Sequence, residues 1–352
     1  MDMSNWIIPD FLLSIQCMTY NQASFVEEAM NGFCMQQTNF PYIAIIIDDA
    51  STDGEQKVLE QYLHNHFELI ETEETDEYAL AFAKHKDNQN CFFCIYFLKY
   101  NFYSISKSKD SFTERWGGHA KYIATCEGDD YWTDSLKLQK QVDFLESHPD
   151  YVLCCHETMR YSQNTGEMSY IKHKVLDQYP EGFTFDSRYD GWNHDGWLAI
   201  TLTNVYRSDF MGRDIFMMMK NRYDVIFMYF IKKAGKCFLM PDVMGVYRIN
   251  NGGICSGAPF TIFYVNILNA IQELNQVDRS CEARYMLQRH LRVNMGNLIL
   301  LREWRTIFDS IKTVGSFTPS VELSLFLVKL PFCGICQVFW AFCDVIKNKL
   351  KK

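Results

Sequence analysis

The chain has 352 residues, with 34 lysine and arginine residues against 43 aspartate and glutamate residues, and a formal net charge of −9 at pH 7. Hydrophobic residues make up 48% of the sequence, which is enough for a large folded core and excludes a disordered or low-complexity chain. The acidic balance argues against a nucleic-acid partner, because proteins that bind nucleic acids generally present a basic surface.

The start of the sequence and the placement of the cysteines are both typical of a cytoplasmic protein. The first ten residues contain acids and a proline and lack the basic and apolar parts of a secretory signal. Many of the 13 cysteines lie in apolar runs such as 91–94 and 154–155, which is typical of reduced, buried thiols and not of a disulfide framework. We therefore expect a cytoplasmic protein.

Four alternating segments open the chain. Residues 11–18 are an apolar run typical of a strand, and a capping box of Ser24 and Glu27 predicts that a helix begins there. Residues 42–47 are a continuous, mostly β-branched run, which predicts a strand covered on both faces. Apolar residues at helical spacing over 58–63 predict a second helix. This order predicts an open parallel α/β sheet, which binds ligands at the carboxyl ends of its strands.

The middle of the chain is less regular. Residues 64–115 are rich in acidic, amide and lysine side chains around one apolar run at 91–98, so we expect an acidic loop, a short strand and a second loop. Another strand is predicted at 121–126, and Thr133 or Asp134 can cap the helix that follows it.

Further strands are predicted at 151–156 and 198–206. A helix is expected over 224–234, ending at Gly235 in a left-handed cap. Helical patterns dominate from residue 259 onwards.

Three acidic clusters end predicted strands or begin a predicted helix. They are Asp48 with Asp49, Glu127 with Asp129 and Asp130, and Asp224. Any single cluster is explained equally well by turn formation. Carboxylates gathered at one rim repel each other unless a cation lies between them, and Mg²⁺ and Mn²⁺ prefer oxygen ligands and substrate phosphates. The combination predicts a substrate that carries a diphosphate and a metal ion.

The chain contains, in this order, Thr19-Tyr20-Asn21, IIIDDASTDG at 45–54 and CEGDDYWTD at 126–134. These motifs resemble those of the family 2 glycosyltransferases. The segment 247–253, Tyr-Arg-Ile-Asn-Asn-Gly-Gly, is similar to the end of the catalytic domain in bacterial capsule and polysaccharide members. The resemblance covers roughly residues 11–256.

This resemblance implies the GT-A fold, an α/β nucleotide-diphospho-sugar transferase domain with a mostly parallel central sheet. It would occupy residues 1–258, followed by a helical region over 259–352. The donor would be bound by Thr19, Tyr20, Asn21, Asp49 and Asp129, with Tyr20 stacking on the nucleobase, Asp49 hydrogen-bonding its edge and Asp129 reaching the ribose. Mn²⁺ or Mg²⁺ would be bound by Asp130 and Glu127, and the catalytic base would be Asp224.

The implied reaction is an inverting, metal-dependent sugar (hexosyl) transfer. An acceptor hydroxyl attacks the anomeric carbon while the nucleoside diphosphate leaves from the opposite face. A carboxylate at a helix N-terminus stays ionised, so Asp224 is available as the base. The expected donor is a UDP-sugar, and the expected acceptor is a saccharide or lipid-linked saccharide in cell-surface polysaccharide synthesis, such as capsule synthesis.

Two departures keep alternatives open. Relatives often have His and Trp where this sequence has Asn250 and Cys255. Glu127 replaces the Asp that usually begins the acidic motif, which is a mild change. A nucleotidyltransferase of related fold and a non-catalytic sugar-binding descendant therefore remain alternatives to the transferase.

Two further segments have two interpretations each. Trp192, His194, Asp195 and Trp197 combine aromatic and polar groups that suit a sugar acceptor, or they form a packed loop. The apolar stretch 323–346 is followed by lysines, which suits an interfacial helix on the inner face of the cytoplasmic membrane, or it is a core helix.

Overall fold

The computed structural model describes residues 8–170, 172–187, 198–250, 260–300 and 302–317. The chain divides into two compact units, residues 1–211 with 231–249 and residues 212–230 with 250–352. The domain division at residue 258 stays a prediction.

All strands of the described chain belong to the first unit and form one sheet. They are β1 (Leu13–Thr19), β2 (Tyr42–Asp48), β3 (Phe67–Glu74), β4 (Tyr78–His85), β5 (Cys91–Leu98), β6 (Tyr122–Thr125), β7 (Tyr131–Trp132), β8 (Tyr151–Ser162), β9 (Glu167–Tyr170), β10 (Phe183–Phe185), β11 (Val205–Arg207) and β12 (Lys236–Ile249). Their order is β10-β12-β8-β11-β6-β1-β2-β5-β4-β3, with β7 beside β12 and β9 beside β8. Helices α1 (Val26–Cys34), α2 (Glu55–His66), α3 (Asp110–Gly117) and α4 (Lys137–Ser147) belong to the same unit.

The centre of the sheet is parallel and buried on both faces. Strands β6, β1, β2 and β5 pair in parallel, and every residue of β2 is buried. Alternate residues of β2 join two different apolar clusters: Tyr42 and Ile46 pack with α1 and α2, whereas Ile43 and Ile47 pack with α3. The predicted α/β class is confirmed, although the flanking strands are mostly antiparallel and the sheet as a whole is mixed.

The prediction of an acidic loop after α2 is wrong. Residues 67–85 form the antiparallel hairpin of β3 and β4, which extends the sheet beyond β5. Strand β3 lies at the edge, and its glutamates lie mainly at exposed or half-buried positions. Charged side chains protect an edge strand from pairing with another molecule, so the composition that suggested a loop belongs to an edge strand.

Three local predictions also fail. Helix α1 begins at Val26 without a side-chain cap, because the Gln22 carbonyl accepts its first backbone hydrogen bonds instead. Of residues 198–206, only the end joins β11, and residues 201–203 form a 3₁₀ turn. Gly235 is not left-handed; its lack of a side chain leaves room for Val152, whose Cγ1 would lie 2.8 Å from a Cβ.

The second unit is helical in its described part. Its helices are α5 (Arg213–Met218), the beginning of α6 (Asp224–Ala234), α7 (Phe260–Val277), α8 (Cys281–Leu300) and α9 (Trp304–Phe317). Helices α7, α8 and α9 pack against one another. The predicted helical C-terminal region is confirmed for these residues. None of the helices in the described ranges has the length and apolarity to cross a membrane, and the stretch 323–346 lies outside those ranges.

Candidate functional site

Strands β1, β2 and β6 end side by side at one edge of the sheet. Strand β1 pairs with β2 so that Thr19 lies opposite Asp48, and it pairs with β6 so that Gln16 lies opposite Thr125. The loops after these three strands therefore start next to one another. The candidate donor and metal residues lie at these strand ends and in these loops.

A buried glutamate joins the first two loops. Glu55, at the start of α2, accepts hydrogen bonds from the Thr19 hydroxyl, from the Gln22 backbone N–H at 2.7 Å and from the Ser51 hydroxyl at 2.9 Å. Burial raises the pKa of Glu55, although these three hydrogen bonds act in the opposite direction. The sequence alone does not single out Glu55; its one signal is an acid directly after the turn glycine Gly54.

The loop after β1 is held in one shape and leaves one aromatic ring exposed. Asn21 has a positive φ of 55°, its N–H donates to Ser51 Oγ at 2.8 Å, and its side-chain oxygen accepts the Thr52 N–H at 2.8 Å. Thr19 is buried below the loop, whereas Tyr20 is 46% exposed. The Tyr20 ring is thus accessible to a planar ligand at the carboxyl edge of the sheet.

The carboxylate of Asp49 binds another loop of the protein. It accepts hydrogen bonds from the backbone N–H groups of Phe102 and Tyr103, at 2.7 and 3.1 Å, and from Lys109 Nζ at 2.7 Å. Only 4% of the Asp49 side chain is exposed. Asp49 therefore positions the loop after β5, and its predicted bond to a nucleobase stays a prediction.

The acidic turn after β6 contacts the loop after β1 closely. A Cβ at Gly128 would lie 2.6 Å from Thr19 Oγ1 and 2.6 Å from Gln22 Oε1, so only glycine fits here without displacing these atoms. The Gly128 N–H also donates to the Met18 carbonyl at 3.3 Å. This close approach brings two of the predicted motifs into one site.

The three carboxylates of this turn differ in exposure. Asp130 is 4% exposed and accepts the Arg248 backbone N–H at 2.8 Å, whereas Glu127 and Asp129 are half-buried. Burial raises the pKa of Asp130 well above its usual range, and the charges of Asp129 and Glu127 raise it further. The two flanking acids are therefore the ones that a ligand reaches most easily.

Arg248 fixes the acidic turn from β12. Its side chain donates to the Asp129 carbonyl at 2.8 Å, to Gln163 Oε1 at 2.9 Å and to the Glu28 carboxylate on α1. The guanidinium also lies 4.9 to 5.3 Å from the ring centres of Phe25, Tyr131 and Tyr161. Arg248 is only 6% exposed, so its hydrogen bonds hold the acidic turn in place from inside the protein. Arg248 lies in the motif at 247–253, but the sequence alone assigns it no role.

The end of β1 lies among four carboxylates. Burial raises the pKa of the Cys17 thiol, and the charges of Glu127, Glu55, Asp129 and Asp130 raise it further. Within the described ranges, no three His, Cys, Asp or Glu side chains are placed to hold a metal ion by themselves. Mg²⁺ bound with a nucleotide usually takes one or two protein carboxylates, and phosphates and water complete its shell. The accessible pair Glu127 and Asp129 fits that requirement.

The other candidate residues lie in the second unit or outside the described chain. Asp224 is exposed and begins α6, as predicted, and Asn250 is buried directly after β12. The acceptor candidates fall within 188–197, and Cys255 within 251–259, both outside the described residues. The roles of these residues stay predictions.

Comparison with known proteins identifies the class. Residues 14–85, which contain β2, the loops joined by Glu55 and all of β1 except its first residue, match the family model of glycosyl transferase family 2. This match supports a family 2 glycosyltransferase.

Two relatives each match more than two thirds of this chain. The uncharacterized protein Rv1520 of Mycobacterium tuberculosis strain H37Rv is 35% identical over 248 residues, covering 70% of this chain and 61% of that protein. The chain thus matches less than two thirds of this relative's length. TuaG of Bacillus subtilis strain 168, a glycosyltransferase named for teichuronic acid biosynthesis, is 23% identical over 260 residues, covering 72% of this chain and 84% of TuaG.

A solved structure shows the fold. The crystal structure of S. aureus TarS 1–349 in complex with UDP-GlcNAc superposes with a TM-score of 0.55 at 15% identity, covering 92% of this chain and 88% of that chain. This likeness confirms the predicted GT-A fold.

The buried Glu55 generates a prediction about pH. Because its pKa is raised in the folded state, its contribution to stability is full below the unfolded pKa of about 4.3 and is lost as pH rises through the folded value. In Glu55→Gln the amide can still accept from Gln22 and Ser51 and donate to Thr19, but it does not titrate. Melting temperatures from pH 4 to 8 should therefore fall less steeply in Glu55→Gln than in the wild type. Glu60→Gln, an exposed position on the same helix, is the control, and equal slopes in all three proteins would contradict the account.

Arg248 generates a second prediction. Lysine cannot reproduce the planar fork that reaches Glu28, Gln163 and the Asp129 carbonyl, so Arg248→Lys should lower the free energy of unfolding by about 2 to 4 kcal/mol. Urea unfolding measures this. Arg115→Lys is the matched control, because that ion pair with glutamates of β3 is exposed and contributes little. Similar losses in the two variants would rule out the bracing role.

Proposed function

We propose that this protein is an inverting glycosyltransferase that moves a sugar from a nucleoside diphosphate donor to a saccharide or lipid-linked acceptor in cell-surface polysaccharide synthesis. The observation that carries the proposal is the assembly of the Thr19–Asn21 loop, the Asp49 turn and the Glu127–Asp130 turn at one edge of a GT-A sheet. The UDP and UDP-GlcNAc complexes of TarS and the name of TuaG support the donor class and the pathway.

The donor's nucleoside is proposed to lie at the loop after β1. The exposed ring of Tyr20 offers a face for stacking, and the fixed backbone of Asn21 keeps that ring at the edge of the sheet. Asp49 holds the loop after β5 through Phe102, Tyr103 and Lys109, so we propose that it shapes the wall of the nucleobase site. UDP is the proposed nucleotide.

The donor's diphosphate is proposed to lie beside the acidic turn, with Mn²⁺ or Mg²⁺. Glu127 and Asp129 would hold the ion, and Asp130, buried against the Arg248 backbone, would position them. This arrangement modifies the roles expected from the resemblance, in which Asp130 bound the metal and Asp129 the ribose. When bound, the ion would stabilise the negative charge of the departing diphosphate, a contribution of several kcal/mol in metal-assisted reactions.

Asp224 is the proposed base. It begins a helix of 11 residues and is exposed, and the helix dipole favours its ionised form. In the proposed step it takes the proton of an acceptor hydroxyl, whose oxygen forms the new bond to the anomeric carbon. The bond from that carbon to the diphosphate breaks on the opposite face, which inverts the configuration.

We further propose a catalytic domain over residues 1–258, a helical region over 259–352 and a cytoplasmic location. Contact of residues 323–346 with the inner face of the membrane would bring the enzyme to a lipid-linked acceptor. Trp192, His194, Asp195 and Trp197 remain the proposed acceptor residues.

Donor binding tests the acidic turn. In Asp129→Asn, the Mn²⁺-dependent part of UDP binding should fall by at least about tenfold, because a neutral amide is a far weaker ligand for a hard cation. Isothermal titration calorimetry with and without MnCl₂ measures this, and Asp143→Asn on the exposed face of α4 is the control. Unchanged Mn²⁺-dependent affinity in Asp129→Asn would remove the metal role from this residue.

Turnover tests the base. Asp224→Asn should leave UDP affinity unchanged and lower kcat for release of UDP from the UDP-sugar by at least about a hundredfold, as expected for loss of a general base. If Asp224 only stabilises the helix, the variant loses about 1 kcal/mol of stability and keeps its turnover. Glu282→Gln, in the first turn of α8, is the matched control. A wild-type protein that binds UDP-sugars and releases no UDP would instead indicate the non-catalytic alternative.

A further inference from the structure

A glutamate of the helical unit holds the loop that leads to Asp224. Helix α6 begins at Asp224, and residues 219–223 connect it to the end of α5. Glu273 lies on α7 and belongs to the same unit as this loop and as Asp224. The contact between the glutamate and the loop therefore lies within one compact unit.

Both oxygens of the Glu273 carboxylate accept hydrogen bonds from this loop. Oε1 accepts the Lys220 backbone N–H at 2.7 Å. Oε2 accepts the Asn221 backbone N–H at 3.3 Å and the Asn221 side-chain Nδ2 at 3.0 Å. Hydrogen bonds to an ionised carboxylate are roughly twice as strong as those between neutral groups. One half-buried side chain thus fixes two consecutive residues of the loop.

The fixed residues are close to Asp224 along the chain. Asn221 and Asp224 are three residues apart, so the backbone between them spans at most about 10 Å. The carbonyl of Tyr223 accepts the Ile226 and Phe227 N–H groups, at 2.8 and 3.1 Å, which starts the helix. A displacement of residues 220–221 would therefore move the first turn of α6, where Asp224 lies.

A second contact fixes the next turn of α6 to the residues that follow α7. The Tyr229 hydroxyl donates to Asp278 Oδ2 at 2.6 Å and lies 2.9 Å from Ser280 Oγ. Tyr229 is buried. Asp224 therefore lies between two attachment points on the chain, at residues 220–221 and at Tyr229.

Helix α7 is itself attached to both of the helices that follow it. The buried Asn275 donates from Nδ2 to the Ala283 carbonyl on α8 at 3.0 Å. Gln272 donates from Nε2 to Ser310 Oγ on α9. Glu273 lies between these two residues of α7 in sequence, so its backbone is held in place.

We propose that Glu273 is a positioning residue, which holds the loop before α6 so that the Asp224 carboxylate takes the proton of the acceptor hydroxyl. This inference rests on the proposed function, in which Asp224 is the base. A base acts within hydrogen-bonding distance of the proton it removes, and a misplacement of about 1 Å costs about a hundredfold in rate. The helical C-terminal region would then contribute to turnover through Asp224.

Kinetics of the full-length protein test this role. Glu273→Ala should lower kcat for release of UDP from the UDP-sugar by at least about tenfold and leave KM and the affinity for UDP unchanged. Glu273→Gln keeps one oxygen for the loop and should recover part of the loss. Glu282→Ala, which removes the same charge from an exposed position on α8, is the control. Wild-type kcat in Glu273→Ala would overturn the proposal.

A double-mutant cycle shows whether the effect acts through the base. In a protein that already carries Asp224→Asn, Glu273→Ala should lower kcat no further, because the group that Glu273 positions has lost its function. Independent losses that multiply in the double variant would show that Glu273 acts elsewhere, and would overturn the proposal.

Hydrogen exchange tests the contact without turnover. In Glu273→Ala, backbone amides of residues 220–227 should exchange faster than in the wild type, whereas those of β1 and β2 should not change. Unchanged exchange over 220–227 would overturn the inference whatever the activity. A wild-type protein that releases no UDP, with faster exchange over 220–227 in the variant, would instead overturn the proposed function and leave the contact established.

Discussion

The repulsion among carboxylates at the end of β1 is the constraint on which the rest of the site depends. Parallel pairing of β1 with β2 and β6 places the acidic loops side by side. Burial raises the pKa of the neighbouring Cys17 thiol, and the charges of four carboxylates raise it further. The fold offsets this repulsion with internal donors. Arg248 donates hydrogen bonds to Asp130 and to the Asp129 carbonyl in the acidic turn. The Glu55 carboxylate accepts hydrogen bonds from the Thr19 and Ser51 hydroxyls and from the Gln22 N–H.

These donors leave the carboxylates in two states. Asp130, Asp49 and Glu55 are buried and bonded within the protein, so they give the site its shape. Glu127 and Asp129 are half-buried and therefore more exposed than those three, which suits their proposed role of binding a cation with a diphosphate. This difference in burial is the reason why Asp130 has a different proposed role from its neighbours Glu127 and Asp129 in the same motif.

The fold was predictable where burial on both faces leaves a continuous apolar run, as in residues 42–47, and where helical spacing is regular, as in 224–234. Prediction failed where a distant contact decides the local structure. The 3₁₀ turn at 201–203 forms because Trp132 Nε1 and Gln141 Nε2 hydrogen-bond to its carbonyls, and no pattern within that segment signals them. The composition of residues 67–74 predicts a loop where the structure has the charged strand β3, because exposed glutamates are common in loops and in edge strands alike.

The motifs of the site were predictable from the sequence, but the residues that hold these motifs in place were not. The Thr19–Asn21, Asp49 and Glu127–Asp130 segments were expected to meet, and they do so in the structure. Their internal supports, Glu55 and Arg248, act across 33 and 118 residues of sequence, to Gln22 and Asp130 respectively. Such contacts depend on the folded topology, so a single sequence carries almost no sign of them.

We propose that the carboxyl edge of β1, β2 and β6 binds a nucleoside diphosphate together with a divalent cation. An anomalous difference map from crystals grown with UDP and MnCl₂ would locate both. We expect a manganese peak at the carboxylates of Asp129 and Glu127, with the uracil ring against Tyr20. A manganese peak and nucleotide density elsewhere, with an empty acidic turn, would contradict it.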